Sequence, residues 1–174
     1  MAVRKILRMG DPVLRQVSEP VAEFGTAELD ELIEDMLETM EAADGAGLAA
    51  IQIGVPKRIM IFGFESNARY PDVGPIPFTV LINPELIAFD DEMIGGWEGC
   101  LSVPDMRGFV VRRARIRYSG FDQQGMEIER EVDGFHARVF QHEFDHLNGV
   151  LYPDLIDDPL KFGFCAELEA SGVL

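Results

Sequence analysis

The chain has 174 residues, 47% of them hydrophobic and 10 of them prolines, enough to close one core in a single domain over residues 1–174. A formal charge of −16 excludes a general nucleic-acid binder, which would present a basic face, so no specific nucleic-acid partner is expected. Arg4, Lys5 and Arg8 have no leader-length apolar run behind them, no stretch reaches membrane-spanning length, and Cys100 and Cys165 are too few for a disulfide framework. A cytoplasmic protein with reduced thiols and no membrane partner is the expectation.

Residues 27–42 carry Leu29, Leu32, Ile33, Met36, Leu37 and Met40 at the spacing of one buried helical stripe. Thr26 suits the N-cap, Glu28 and Asp30 suit the first turn, and Asp44-Gly45-Ala46-Gly47 opens a glycine loop after the helix. Strands are predicted over residues 58–64 and 78–82, separated by a proline-bearing surface loop at 67–77 that is longer than a minimal connection. Arginines alternate with Ala114, Ile116 and Tyr118 over residues 113–121, and a turn at Asp122–Gly125 leads into 126–132, an antiparallel hairpin. A second helix is predicted over 135–147, enclosed by sheet and stopped by Asn148-Gly149. The fold class is therefore α+β, with antiparallel strands packed around a central helix.

That helix carries Gln141-His142-Glu143-Phe144-Asp145-His146. A four-residue step turns about 40° around a helix, so both imidazoles leave one face and can bind one metal ion. Glu143, beside the first of them, is placed as general base to a metal-activated water, the pattern of metal-assisted hydrolysis. Such a site needs a third protein ligand. His136 lies about 120° around the helix from His142 and reads as a polar or supporting residue. Cys100, in Glu98-Gly99-Cys100-Leu101-Ser102-Val103-Pro104, is the better candidate, although a single cysteine more often packs as a small hydrophobe, as Cys165 is expected to.

Three motifs now stand in order: GAGLAAIQ at 45–52, EGCLSVP at 98–104 and QHEFDHLNG at 141–149. Together they make the chain resemble the peptide deformylases over nearly its whole length. The resemblance implies removal of the formyl group from the N-terminal formyl-methionine of newly made proteins. It implies a metal held by Cys100, His142 and His146, physiologically Fe²⁺, with Zn²⁺, Ni²⁺ or Co²⁺ as substitutes, one per chain. Glu143 becomes the proton carrier, and the Gln52 side chain with the Leu101 backbone N–H become donors to the oxyanion. Gly45, Gly47 and Gly108 are expected to offer backbone to an extended peptide, and Arg107 to stand near its entrance. Ala46, Trp97, Phe135 and Val139 are expected around the methionine side chain. The nascent formylated polypeptide is the partner, and a monomer is expected. Some relatives dock on the ribosome through a long basic C-terminal helix; here residues 153–174 hold one lysine against five acids, so any ribosome contact takes another route.

Two rivals remain on sequence. A metallopeptidase would use the histidines and Glu143 but leaves the two upstream motifs without roles. A binding module with a structural metal would need a fourth protein ligand, which the sequence does not supply.

Overall fold

The computed structural model describes residues 2–88 and 91–174. A short N-terminal segment leads to helix α1 (Ala27–Ala42). Strands β1 (Gly47–Ala49), β2 (Ile59–Phe64), β3 (Ile76–Ala88), β4 (Met93–Cys100), β5 (Val103–Arg113), β6 (Arg115–Phe121) and β7 (Glu127–Asp133) follow. The chain ends with helix α2 (Gly134–Leu147), strand β8 (Phe162–Phe164) and helix α3 (Cys165–Ser171). It is an α+β fold of two antiparallel sheets, ordered β1-β2-β3-β6-β7 and β4-β5-β8.

Alternation along β2 explains the layering. Ile59 and Ile61 point to one side, where they meet Leu29, Ile33, Met36 and Met40 of α1. Met60 and Phe62 point to the other, where they meet Ala137, Phe140 and Leu147 of α2. The larger sheet is thus packed between the two helices. α1 starts at the expected cap, with Thr26 Oγ1 accepting from the Leu29 N–H at 3.2 Å. α2 ends where Gly149 takes φ +74°, and a Cβ there would lie 2.6 Å from the Arg15 carbonyl oxygen.

Three expectations change. The strand expected at 78–82 runs from Ile76 to Ala88, because a bulge between Ile82 and Glu85 carries it past Pro84. Asn83 sits in that bulge at φ +50° and exchanges two hydrogen bonds with the Val21 backbone, at 2.8 and 2.9 Å. Arg113 ends β5 rather than opening β6, so the strand expected over 113–121 begins at Arg115. The long β4–β5 hairpin has no counterpart in the sequence pattern, since glycines at 95, 96, 99 and 108 hide its alternation. At Gly95 a Cβ would fall 2.3 Å from the Phe109 ring, so the ring lies where a side chain would otherwise stand.

Candidate metal centre

The EGCLSVP motif is the tip of the β4–β5 hairpin: Cys100 pairs with Val103 across a turn made by Leu101 and Ser102. Side chains two apart on a strand share a face, so Glu98 and Cys100 both point at α2. On α2, Arg138, His142 and His146 recur at four-residue steps and point back. The hairpin tip and the helix therefore meet through their functional groups.

Cys100, His142 and His146 are buried, with one ligand atom from each inside a 4.8 Å cluster. Cys100 Sγ lies 3.2 Å from His146 Nε2. His142 Nδ1 lies 2.9 Å from Glu98 Oε2; a carboxylate only accepts, so Nδ1 carries a hydrogen and Nε2 is the nitrogen that would give up its proton to serve as a ligand atom. Burial opposes ionisation of the Cys100 thiol, yet His146 and His142 more than offset it and hold the thiol well below its usual range. Burial also works against charge on His142, but Cys100 and Glu98 prevail and raise its pKa well above the usual value.

The donor set fits a metal ion. Atoms bound to one ion at about 2.0–2.3 Å stand roughly 3–4 Å from each other, close to the spacing found. A thiolate with two imidazoles suits Zn²⁺, Fe²⁺, Ni²⁺ and Co²⁺. Glu143 points into the same space: it is 4% exposed, and among the described residues its Oε2 has no hydrogen-bond partner. Burial pushes its carboxyl up to about 7, although the neighbouring imidazoles pull the other way.

Glu98 saturates both oxygens. Oε1 accepts from Arg112 Nε at 2.9 Å and Arg138 Nη1 at 2.8 Å; Oε2 accepts from Arg112 Nη2 at 2.9 Å as well as facing His142. Arg112 also pairs with Asp145 on α2. Opposed by its own burial, Glu98 is still held ionised far below the carboxylate range by Arg112 and His142. None of these supporting residues came from the motif chemistry, though two had a signal: Glu98 is two residues before Cys100 on a strand, and Arg138 is four before His142 on a helix.

Gln52 lies beside the cluster. Its Oε1 accepts from the Ala49 N–H at 2.8 Å, and its Nε2 lies 3.1 Å from Ser102 Oγ and 3.6 Å from Cys100 Sγ. Gly47 passes directly over Glu143: a Cβ would fall 2.4 Å from Glu143 Oε1. A cleft opens from these groups, and Ala46, Gly47, Phe135 and Val139 line it together with Leu101, Cys100 and His142, while His146 lies behind. Gly45 sits just behind, where a Cβ would lie 3.0 Å from Leu101 Cδ1.

Two expected positions lie elsewhere. Trp97 alternates with Glu98 along β4, so its ring leaves the opposite face and packs edge-on against Phe109 at 5.7 Å rather than lining the cleft. Gly108 is no free edge: β5 is the middle strand there, paired with Glu98 on one side and Phe162 on the other. β1, by contrast, is an outer strand of its sheet. Arg107 stands at the rim, 5.1 Å above the Tyr70 ring. Residues 67–77 are more than a surface loop, because Asn67 is buried and Arg69 and Tyr70 form a wall of the cleft. His136 takes no part; its Nε2 lies 3.2 Å from the Tyr118 hydroxyl, among aromatic rings.

A buried cluster of one cysteine and two histidines, a buried carboxylate beside it and an adjoining cleft have the makings of a metal-dependent hydrolase. The sequence profile of the polypeptide deformylases matches residues 3–161. Peptide deformylase 2 of Ralstonia nicotianae is 57% identical over 162 residues, covering 93% of this chain and 92% of that one. Peptide deformylase 1 of Bordetella pertussis matches at the same identity and coverage. Among solved structures, a K4U-bound class I type b peptide deformylase from Acinetobacter baumannii superposes with TM-score 0.87 at 38% identity, over 90% of this chain and 100% of that one. The same enzyme with Met-Ala-Ser bound gives 0.86 at 39% identity, over 89% and 99%. This chain belongs to the peptide deformylase family, whose activity is hydrolytic removal of the formyl group from the N-terminus of nascent polypeptides.

Proposed function

We propose that Cys100, His142 and His146 hold the catalytic metal and that Glu143 is the proton carrier of deformylation. One observation carries the reading: a buried carboxylate whose Oε2 has no hydrogen-bond partner among the described residues sits beside three metal-competent donors at the head of a cleft. The ion, when bound, supplies Lewis acidity that activates water and polarises the formyl oxygen. Glu143 takes the proton from the attacking water and delivers it to the departing methionine nitrogen, so formate and a free amine leave. Gln52, its Oε1 pinned by the Ala49 N–H, is held to aim Nε2 at the developing oxyanion, with the Leu101 N–H as second donor.

The peptide chain is assigned to the edge of β1. Ala46 O accepts from the Gly63 N–H on the β2 side, whereas the Ala49 N–H turns away to Gln52. By alternation the Gly47 N–H and C=O also face outward, available to an added strand. Ala46, Phe135 and Val139 would then receive the methionine side chain. Fe²⁺ is assigned as the physiological metal, and a ferrous ion beside a thiolate predicts inactivation by peroxide. The enzyme is assigned to the cytoplasm as a monomer acting on nascent chains; α3 is short and carries Glu167 and Glu169.

Glu143→Gln tests the mechanism. Metal content should persist while kcat for formate release falls by about 10²–10⁴. Retained metal with undiminished activity would rule the proton role out.

A further inference from the structure

Among the described residues, Arg69 is the one arginine of the cleft wall whose guanidinium lacks a fixed partner. Arg138, the other arginine lining the cleft, is tied to Glu98. The Arg69 backbone is held firmly: its N–H donates to Asn67 Oδ1 at 2.9 Å, and its carbonyl accepts from Arg107 Nη2 at 2.8 Å. Asn67 Nδ2 reaches the Asp44 carbonyl at 3.3 Å, and the Tyr70 ring is pinned between Phe135, at 4.6 Å, and Arg107. Among the described residues, however, the Arg69 guanidinium joins no hydrogen bond or ion pair. It lies against the Gly99 backbone, with Nη2 2.9 Å from where a Cβ would stand.

Its position is a junction. Arg69 lines the cleft over the metal-ligand candidates and also the groove that continues from Cys100 past Asp44, Asp105 and Met106 to Cys165. Neither aspartate bonds the guanidinium. In a chain of charge −16, an unpaired, half-buried guanidinium at that junction is a local reversal of sign. A planar fork of donors suits a carboxylate or a carbonyl oxygen.

We propose that Arg69 is a specificity-determining residue that pairs with an acidic side chain at the position following methionine in the substrate, favouring Asp and Glu over Lys. The inference rests on the site assignment made above. An incoming peptide whose methionine fills the cleft carries its next residue toward the groove, where Arg69 stands, and a lysine there meets like charge.

The test compares kcat/KM for formate release from formyl-Met-Glu-Ser-amide and formyl-Met-Lys-Ser-amide, with formyl-Met-Ala-Ser-amide as reference. Amidation removes the terminal carboxylate that would otherwise compete for the guanidinium. The wild-type enzyme should prefer the glutamate peptide roughly tenfold, chiefly through KM, and the preference should shrink in 0.5 M salt, on the order of the screening expected for a partly exposed pair. Arg69→Gln should bring the ratio to about one, and Arg69→Lys should retain part of it. The bonds that hold this segment use the Arg69 backbone, so both variants keep the wall in place. A wild-type ratio near one, or a ratio unchanged in Arg69→Gln, overturns the inference while the reference peptide is still turned over. No formate from any peptide overturns the site assignment itself, and the inference with it.

Discussion

Single side chains in this protein are held by partners that the reaction chemistry does not name. Glu98 joins Arg112, Arg138 and His142 in one buried cluster. Removing one member of such a cluster leaves charges buried and unpaired, at a cost of about 3–5 kcal/mol. Glu98→Ala should therefore lower stability by that order in denaturant unfolding, and weaken metal binding by roughly 10–100-fold as the His142 ring loses its anchor. Gly47 makes a different demand. Gly47→Ala pushes a methyl into Glu143, so kcat should fall by about 10²-fold with a smaller change in Tm, since the atoms it meets all belong to that one side chain. A kcat within twofold of wild type would show that Glu143 need not stand where it does. Burial, with Arg130 acting the same way, drives His136 down to about 4 from its ordinary 6.5. Between those values the unfolded chain binds a proton that the folded chain refuses, so stability falls as pH drops through that window. His136→Gln should flatten the fall in urea-unfolding curves taken from pH 7 to pH 4.

Elements differ in how openly the sequence declares them. α1 was legible to its end residues because a polar cap, acidic first turn and apolar stripe agree, and only local physics is involved. Thr26→Ala should cost about 1 kcal/mol and leave activity intact, which chemical unfolding and formate assays would check together. α2 was legible for its histidines, yet its buried arginine and glutamine faces depend on a hairpin distant in sequence. That hairpin was opaque: β4 and β5 obtain their order from pairing and from rings such as Phe109 occupying glycine positions, neither of which shows in a one-dimensional pattern. The same limit hid Arg69, since only folding brings residues 67–70 over the cleft.

At the scale of the whole molecule, the two sheets serve different ends. The larger one, packed between α1 and α2, holds the helix and ends in the β1 edge; the smaller one brings Cys100 to that helix. The metal candidates thus come from two elements that only the folded state joins, so metal binding and folding are linked. This assembled centre is the one proposed to deformylate formyl-methionine peptides. Its most direct test is formate release from formyl-Met-Ala-Ser by enzyme prepared anaerobically with its native metal, run beside the unformylated peptide. Formate is expected from the first, peptide-bond cleavage of neither, and loss of activity on chelation. Cleavage of the unformylated peptide, or no formate from a fully metallated enzyme, would contradict the proposal.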